Sequence, residues 1–403
     1  MAVQTPPAPR STPDPGIEDG VIEDARARQR RYRRIGWALA AAVVSAGALI
    51  AGLVGGGGGA GRHANGQPSN SPPFPPATGS TVLPKQPGSL AVGPNGELYV
   101  ADAGREQILR RLPNGRFVVV AGAGVPGYTG DGGRATRAEL DGPGSLAVAP
   151  NGAVYFAQTG RAKTSLGLTH SVVREVEPNG RISTVIGRNP NCAAVPANAL
   201  SVPAESAEFS GASLTIESGG RLDLSTTVCP NVLHLGSFLR LTSAGKLIQT
   251  PADSISNVSG YCAPEIAGPG FIAFGCMSGA RRGPRLMIVR ANGSTRNYPD
   301  TSSQPDDMAA SNGTVVAIHN GAVVRIGVNG LETIATQQQL TKLVSDAALR
   351  MGDNGIAIDR HRHVYVNEDY LLAHRGCTDV IIEIDPNGHM RTLWRSTLTR
   401  FCY

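Results

Sequence analysis

Four stretches of this 403-residue chain carry residue types at spacings that could do chemistry. Gly122-Ala123-Gly124-Val125-Pro126-Gly127 matches a dinucleotide-binding glycine pattern and follows an apolar run. That pattern needs a helix N-terminus next, to hold the pyrophosphate. Tyr128-Thr129-Gly130-Asp131-Gly132-Gly133 follows instead, and it reads as loop, so the pattern is set aside. Asp131 could offer a carboxylate to calcium, but one acid among glycines falls short of the six to eight oxygens the ion takes. A loop-shaping role fits it better. His361-Arg362-His363 resembles a metal pair, yet it falls at a tight turn. The six cysteines (Cys192, Cys229, Cys262, Cys276, Cys377 and Cys402) show no Cys-x-x-Cys or Cys/His ligand spacing. No Gly-x-Ser-x-Gly elbow or His-Glu-x-x-His motif is present, and neither a metal nor a cofactor is expected.

The elements that would position such residues are written twice. Pro87 to Gly122 reads PGSLAVGPNGELYVADAGREQILRRLPNGRFVVVAG. Pro143 to Gly187 repeats PGSLAVAPNGAVYFAQTGR, then a longer loop, then SVVREVEPNGRISTVIG. Each copy holds four short β-type runs joined by Pro-Asn-Gly turns, and Asn-Gly suits the positive φ angles of tight hairpins. Self-similarity at this period, with four strands per unit, predicts a β-propeller. Third strands ending in such a turn recur at Gly115, Gly180, Gly245, Gly293, Gly330 and Gly388. First-strand turns are expected at Gly96, Gly152, Gly219, near Gly268, at Gly313 and near His361. The expected fold is therefore all-β, a six-bladed propeller over residues 87–403, with no helix longer than two turns in it.

Residues 1–34 are Pro-rich, then acidic, then Arg-rich, and cannot bury enough apolar surface to fold. They are read as a disordered cytoplasmic tail, with Thr5-Pro6 and Thr12-Pro13 as weak phosphorylation candidates. Residues 35–55 form 21 uncharged residues, enough to cross a hydrocarbon core of roughly 30 Å as a transmembrane helix. Arg26, Arg28, Arg30, Arg31, Arg33 and Arg34 precede it, and the next basic residue is Arg62. That asymmetry places the N-terminus in the cytoplasm and the propeller on the extracytoplasmic side of a single-pass cell-membrane protein. A cleaved signal peptide is the competing reading, although its basic and apolar regions are ordinarily shorter. Residues 56–86 are Gly-rich, then Pro-rich, the composition of a tether. The formal net charge of +6 is spread without a basic, aromatic-interleaved run, so nucleic acid is not an expected partner.

Residues 87 to 187, with GVPGYTGDGGRATRAELDGPGSLAVAPNGAVYFAQTGR and VVREVEPNGRISTVIG, closely resemble the NHL-repeat family, and residues 352 to 394 fairly. With the anchor, the chain resembles extracytoplasmic sensor propellers of bacterial membrane proteins, including receptor-type Ser/Thr kinases. The family's Asp after Leu-Ala-Val is Gly93 and Ala149 here, and survives as Asp359. Six-bladed propellers also include lactonases and lyases with a channel metal. By that resemblance Glu217, Asn354 and Asp359 are the channel ligands on offer, three inconsistent positions that make no cage.

One side of such a propeller carries the short turns. The other carries Ala123 to Gly142, Thr159 to His170, Arg188 to Ser210, Thr226 to Ser237 and Tyr370 to Thr378, and long loops on a rigid scaffold are where binding residues concentrate. The loop-face binding candidates are Asp102, Arg105, Tyr128, Asp131, Arg161, Glu368 and Asp369. An even cysteine count beyond the membrane segment predicts disulfides, with 192–229, 262–276 and 377–402 favoured by neighbouring positions among the fifteen pairings. The expected function is a tethered module that binds a protein, peptide or glycan on the outer side. The alternative is a lactonase-like hydrolase or lyase, and the sequence favours binding over catalysis.

Overall fold

A computed structural model describes residues 81–163, 169–189, 201–209, 211–217, 219–226, 238–249, 261–268, 271–277, 286–290, 295–298, 306–327, 330–344, 347–372 and 376–396. The proposed membrane span at 35–55, and the tail and tether up to residue 80, lie outside these residues. Among the described residues no helix is long and apolar enough to cross a membrane.

Nearly every element is a short antiparallel strand. The first sheet contains β1 (Thr81–Val82), β2 (Pro87–Val92), β3 (Leu98–Asp102), β4 (Gln107–Arg111) and β5 (Phe117–Ala121), in spatial order β1-β5-β4-β3-β2. The second is β6 (Leu146–Val148), β7 (Val154–Lys163), β8 (Thr169–Val176) and β9 (Ile182–Ile186), in sequence order. The third contains β10 (Ser201–Pro203), β11 (Ser213–Ile216), β12 (Leu222–Ser225), β13 (Phe238–Leu241) and β14 (Lys246–Gln249), ordered β10-β14-β13-β12-β11. Three four-stranded meanders follow. They are β15 (Tyr261–Gly268) to β16 (Phe271–Met277), β17 (Leu286–Arg290) and β18 (Thr295–Tyr298), and β19 (Asp307–Ser311) to β20 (Thr314–His319), β21 (Ala322–Gly327) and β22 (Gly330–Ala335). The last is β23 (Ala347–Ile358) to β24 (Val364–Leu372), β25 (Cys377–Ile384) and β26 (Met390–Arg395).

The inner strand of each sheet touches the inner strand of the next, in the cyclic order β2, β6, β11, β15, β19, β23 and back to β2. That closed ring makes the molecule an all-β propeller. The cores lie between sheets. Tyr99, Ile108 and Val120 of the first sheet pack with Phe156, Val176 and Ile182 of the second. Where the ring closes, Leu90, Val100 and Leu109 pack with Ala357, Tyr365 and Ile381. The closure is tight, because a Cβ on Gly355 would lie 2.9 Å from the Gly88 carbonyl oxygen.

Strand alternation and turn chemistry place these elements. Asn312 and Gly313, with φ of 46° and 75°, form the two-residue turn between β19 and β20. In the third sheet positive φ falls on Gly220, not on the expected Gly219, because Glu217 and Arg221 close that turn around Gly220. Two outer strands arise where composition indicates tether or loop: β1 pairs with β5, and β10 pairs with β14. Part of the expected loop at 159–170 is an extension of the β7–β8 hairpin. Among the described residues the single α-helix, α1 (Gln337–Lys342), begins at Thr336 with a reciprocal capping box to Gln339.

Candidate functional site

Register aligns the inner strands residue by residue. Leu90 faces Val100, Leu146 faces Phe156, Leu214 faces Leu224, Met308 faces Ala317 and Ile356 faces Val366. One residue earlier, at the loop-rich end of the ring, stand Ser89, Ser145, Ser213, Asp307 and Gly355. Four of these, Ser89, Ser145, Ser213 and Asp307, line a cavity of about 180 Å³ on the ring's axis, with apolar strand residues such as Val92 and Ile358 below. The Ser145 hydroxyl accepts from Leu214 N at 2.8 Å.

Asp307 is the one carboxylate in that lining among the described residues. Its oxygens accept from its neighbour Met308 N at 2.8 Å and, across the sheet boundary, from Ile356 N at 2.9 Å. Burial lifts its pKa to about 6, the two backbone donors opposing and the adjacent Asp306 adding to the rise. Asp307 is not among the sequence-derived candidates. The seven-residue spacing of Ser89 from Gly96 and Ser145 from Gly152 points from Gly313 to Asp306 instead, because the turn at Asn312-Gly313 is shorter. The equivalence of Asp307 shows only in its bond to Ile356 N, which matches that of Ser145 to Leu214 N. Of the three residues offered as channel ligands, Glu217 and Asp359 do not line the cavity. Glu217 pairs with Arg221, and with Arg240 at 3.2 Å, at the turn end. Asp359 closes its own turn by accepting from His361 N and His363 N at 2.8 Å. The Asn354 side chain lies outside the described residues. Among those residues no group of three or more His, Cys, Asp or Glu could hold a metal ion.

Most of the loop-face candidates have internal partners. Asp102, fully buried, accepts from Lys85 N at 2.6 Å, Gln86 N at 2.9 Å and Arg105 N at 3.1 Å. Arg105 Nε donates to the Leu83 carbonyl. Together they bind the incoming chain to the first sheet. Tyr128 donates its hydroxyl to Asp141 at 2.6 Å. Asp131 takes Arg174 Nη2 at 2.8 Å, Thr184 N at 3.0 Å and Thr184 Oγ1 at 3.2 Å. Arg174, only 1% exposed, also donates to the carbonyls of Glu139 at 2.9 Å and Thr129 at 3.2 Å. The loop-shaping reading of Asp131 therefore has a mechanism: a buried guanidinium clamps the 123–142 loop onto β8. Burial holds the Arg174 pKa below its usual value, with Asp131 pulling the other way. Glu368 is buried and accepts from the Tyr370 hydroxyl. Asp369 Oδ1 is buried without a hydrogen-bond partner among the described residues. The side chain of Arg161 lies outside them.

Of the cysteines, Cys262 and Cys276 are directly opposed Cα partners on β15 and β16. Cys377 is disulfide-bonded, to a partner outside the described residues. Cys192, Cys229 and Cys402 also lie outside them.

No protein-family profile matches the chain. Teneurin-3 from Danio rerio is 37% identical over 116 residues, which is 25% of this chain and 4% of that protein, so the chain spans a small fraction of its relative. Among solved structures, a streptogramin B lyase is 12% identical with a TM-score of 0.43, covering 78% of this chain and 84% of its own. The PQQ-bound aldose sugar dehydrogenase of Streptomyces coelicolor is 16% identical with a TM-score of 0.37, covering 73% and 93%. A gluconolactonase from Xanthomonas campestris is 11% identical with a TM-score of 0.30, covering 79% and 78%.

Proposed function

We propose that each of the six sheets is one blade of an NHL-type propeller, tethered outside the cell by a helix at 35–55, and that the loop-rich mouth of its axial cavity binds a ligand. The charge asymmetry around 35–55 supports the anchor. The carrying observation for binding is the make-up of the mouth: three serines and one carboxylate surround a cavity of about 180 Å³. A concave site with a few polar groups placed around apolar walls is the usual form of a small-ligand site. Glu368 and Asp369, at the loop-rich end of β24, belong to the same face. A metal-dependent hydrolase is the less favoured reading, because among the described residues one carboxylate amid hydroxyls supplies too few ligands for a catalytic cation. The disulfides 192–229, 262–276 and 377–402 belong to this proposal, with 262–276 supported by the opposed Cα positions.

The test screens peptides and glycans against the purified full-length chain in detergent. A retained ligand should be lost when Ser89→Trp fills the mouth and kept when Asn179→Trp alters the turn face. Retention by both variants, with both still folded by thermal melting, places binding elsewhere and defeats the reading.

A further inference from the structure

The mouth is chemically asymmetric, and that asymmetry selects among ligands. Ser89, Ser145 and Ser213 occupy one position in three sister strands, and Asp307 occupies it in a fourth. Among the described residues, the Ser89 and Ser213 hydroxyls make no hydrogen bond, whereas that of Ser145 is engaged by Leu214 N. Asp307 accepts two backbone N–H groups, one on each oxygen, and each oxygen keeps acceptor capacity. Among the described residues the cavity therefore gathers unsatisfied acceptors and one negative charge at a single level of the channel.

We propose that this mouth binds a primary ammonium group carried on a small saturated ring, as in an amino sugar. The assignment rests on the loop-face reading above. An ammonium offers three rotatable donors to a point acceptor. The Asp307 carboxylate meets one, and the serine hydroxyls around the axis meet the others. A guanidinium suits the site less well. It prefers a bidentate carboxylate, and both Asp307 oxygens already take a backbone donor from β19 or β23. An anion would meet the Asp307 charge at close range. Size agrees with a ring: the cavity is about 180 Å³, while an engineered cavity of roughly 150 Å³ accommodates benzene. The end group of a larger molecule fits this volume; a polymer does not.

The test is calorimetric titration of the full-length chain in detergent with glucosamine, N-acetylglucosamine and glucose at pH 7.0. Wild type should bind glucosamine at least tenfold more tightly than either neutral sugar. Asp307→Ser, which installs the residue of the three sister strands, should melt as a folded protein and lose that preference. Asp306→Asn, which removes the adjacent exposed acid, should keep it and so exclude a diffuse charge effect. Equal binding of the three sugars, no binding of glucosamine, or a preference that survives Asp307→Ser overturns the ammonium assignment. If a neutral sugar binds as tightly as glucosamine and Ser89→Trp abolishes that binding, the assignment falls and the loop-face reading stands. Sugar binding that Ser89→Trp leaves intact removes both.

Discussion

Arg174→Met should release the 123–142 loop without touching the channel. Arg174 is nearly inaccessible, at 1% exposure, while its partner Asp131 is 33% exposed. Removing the guanidinium strands the Glu139 and Thr129 carbonyls and leaves Asp131 with Thr184 and Arg188. Breaking a buried ion pair costs about 3–5 kcal/mol. Water can reach Asp131, so the lower end applies, about 3 kcal/mol. With an unfolding entropy of about 2.1 cal/mol/K per residue over roughly 320 residues, that lowers the melting temperature by about 4–5 °C.

A local readout separates this from general damage. Arg134 caps and Arg137 ends the short 3-10 turn inside the loop, and both are trypsin sites. In wild type that turn is pinned by hydrogen bonds from Gly122 N to Ala135 O at 2.9 Å and from Ala135 N to Gly180 O at 2.9 Å. Arg174→Met should make Arg134 and Arg137 the first cuts in limited trypsin digestion of the full chain. Arg174→Lys should behave in between, because a point charge can keep Asp131 but cannot fork to two carbonyls. A Met variant that melts within about 1 °C of wild type, with both sites still protected, would refute the clamp.

Asn367→Ala should loosen ring closure, since Asn367 Nδ2 donates to Pro87 O at 2.8 Å and Gly88 O at 3.2 Å. The expected cost is about 2 kcal/mol, read as a lower denaturation midpoint. Asp307 has a folded pKa of about 6, above the unfolded carboxylate value. Its stabilising contribution is therefore complete at low pH and lost as pH rises through about 4 to 6. Asp307→Ser should remove that component, at most about 3 kcal/mol, so its gain over wild type should be larger at pH 7.5 than at pH 5 in parallel melts. Non-reducing peptide mapping should recover a 262–276 linkage; free thiols at both positions would contradict it. Protease added to wall-stripped cells should release the propeller while a tag before Ala25 stays protected. A chain found free in the medium and starting after residue 55 would remove the anchor.

What the sequence disclosed and what it concealed divide by distance along the chain. The repeat and its turns are local, so β2 to β5 and β23 to β26 could be located from Pro-Asn-Gly punctuation and alternating apolar residues. Asp307 was hidden because its strand, Asp-Met-Ala-Ala-Ser, has lost the Ser-Leu-Ala-Val signature and lies one residue closer to the glycine of its following turn than Ser89 does. The loop-face residues were hidden more deeply. Asp131 meets Thr184 across 53 positions, and Asn367 meets Pro87 across 280. Nothing in the residues beside Asp131 distinguishes a carboxylate that waits for a ligand from one already holding an arginine. Only the packing of consecutive sheets brings Arg174 beneath that loop and sets Asp307 against Ile356, and only closing the ring sets Asn367 against Pro87. In a propeller the local code writes the blades, while the chemistry of the axis depends on which blades become neighbours.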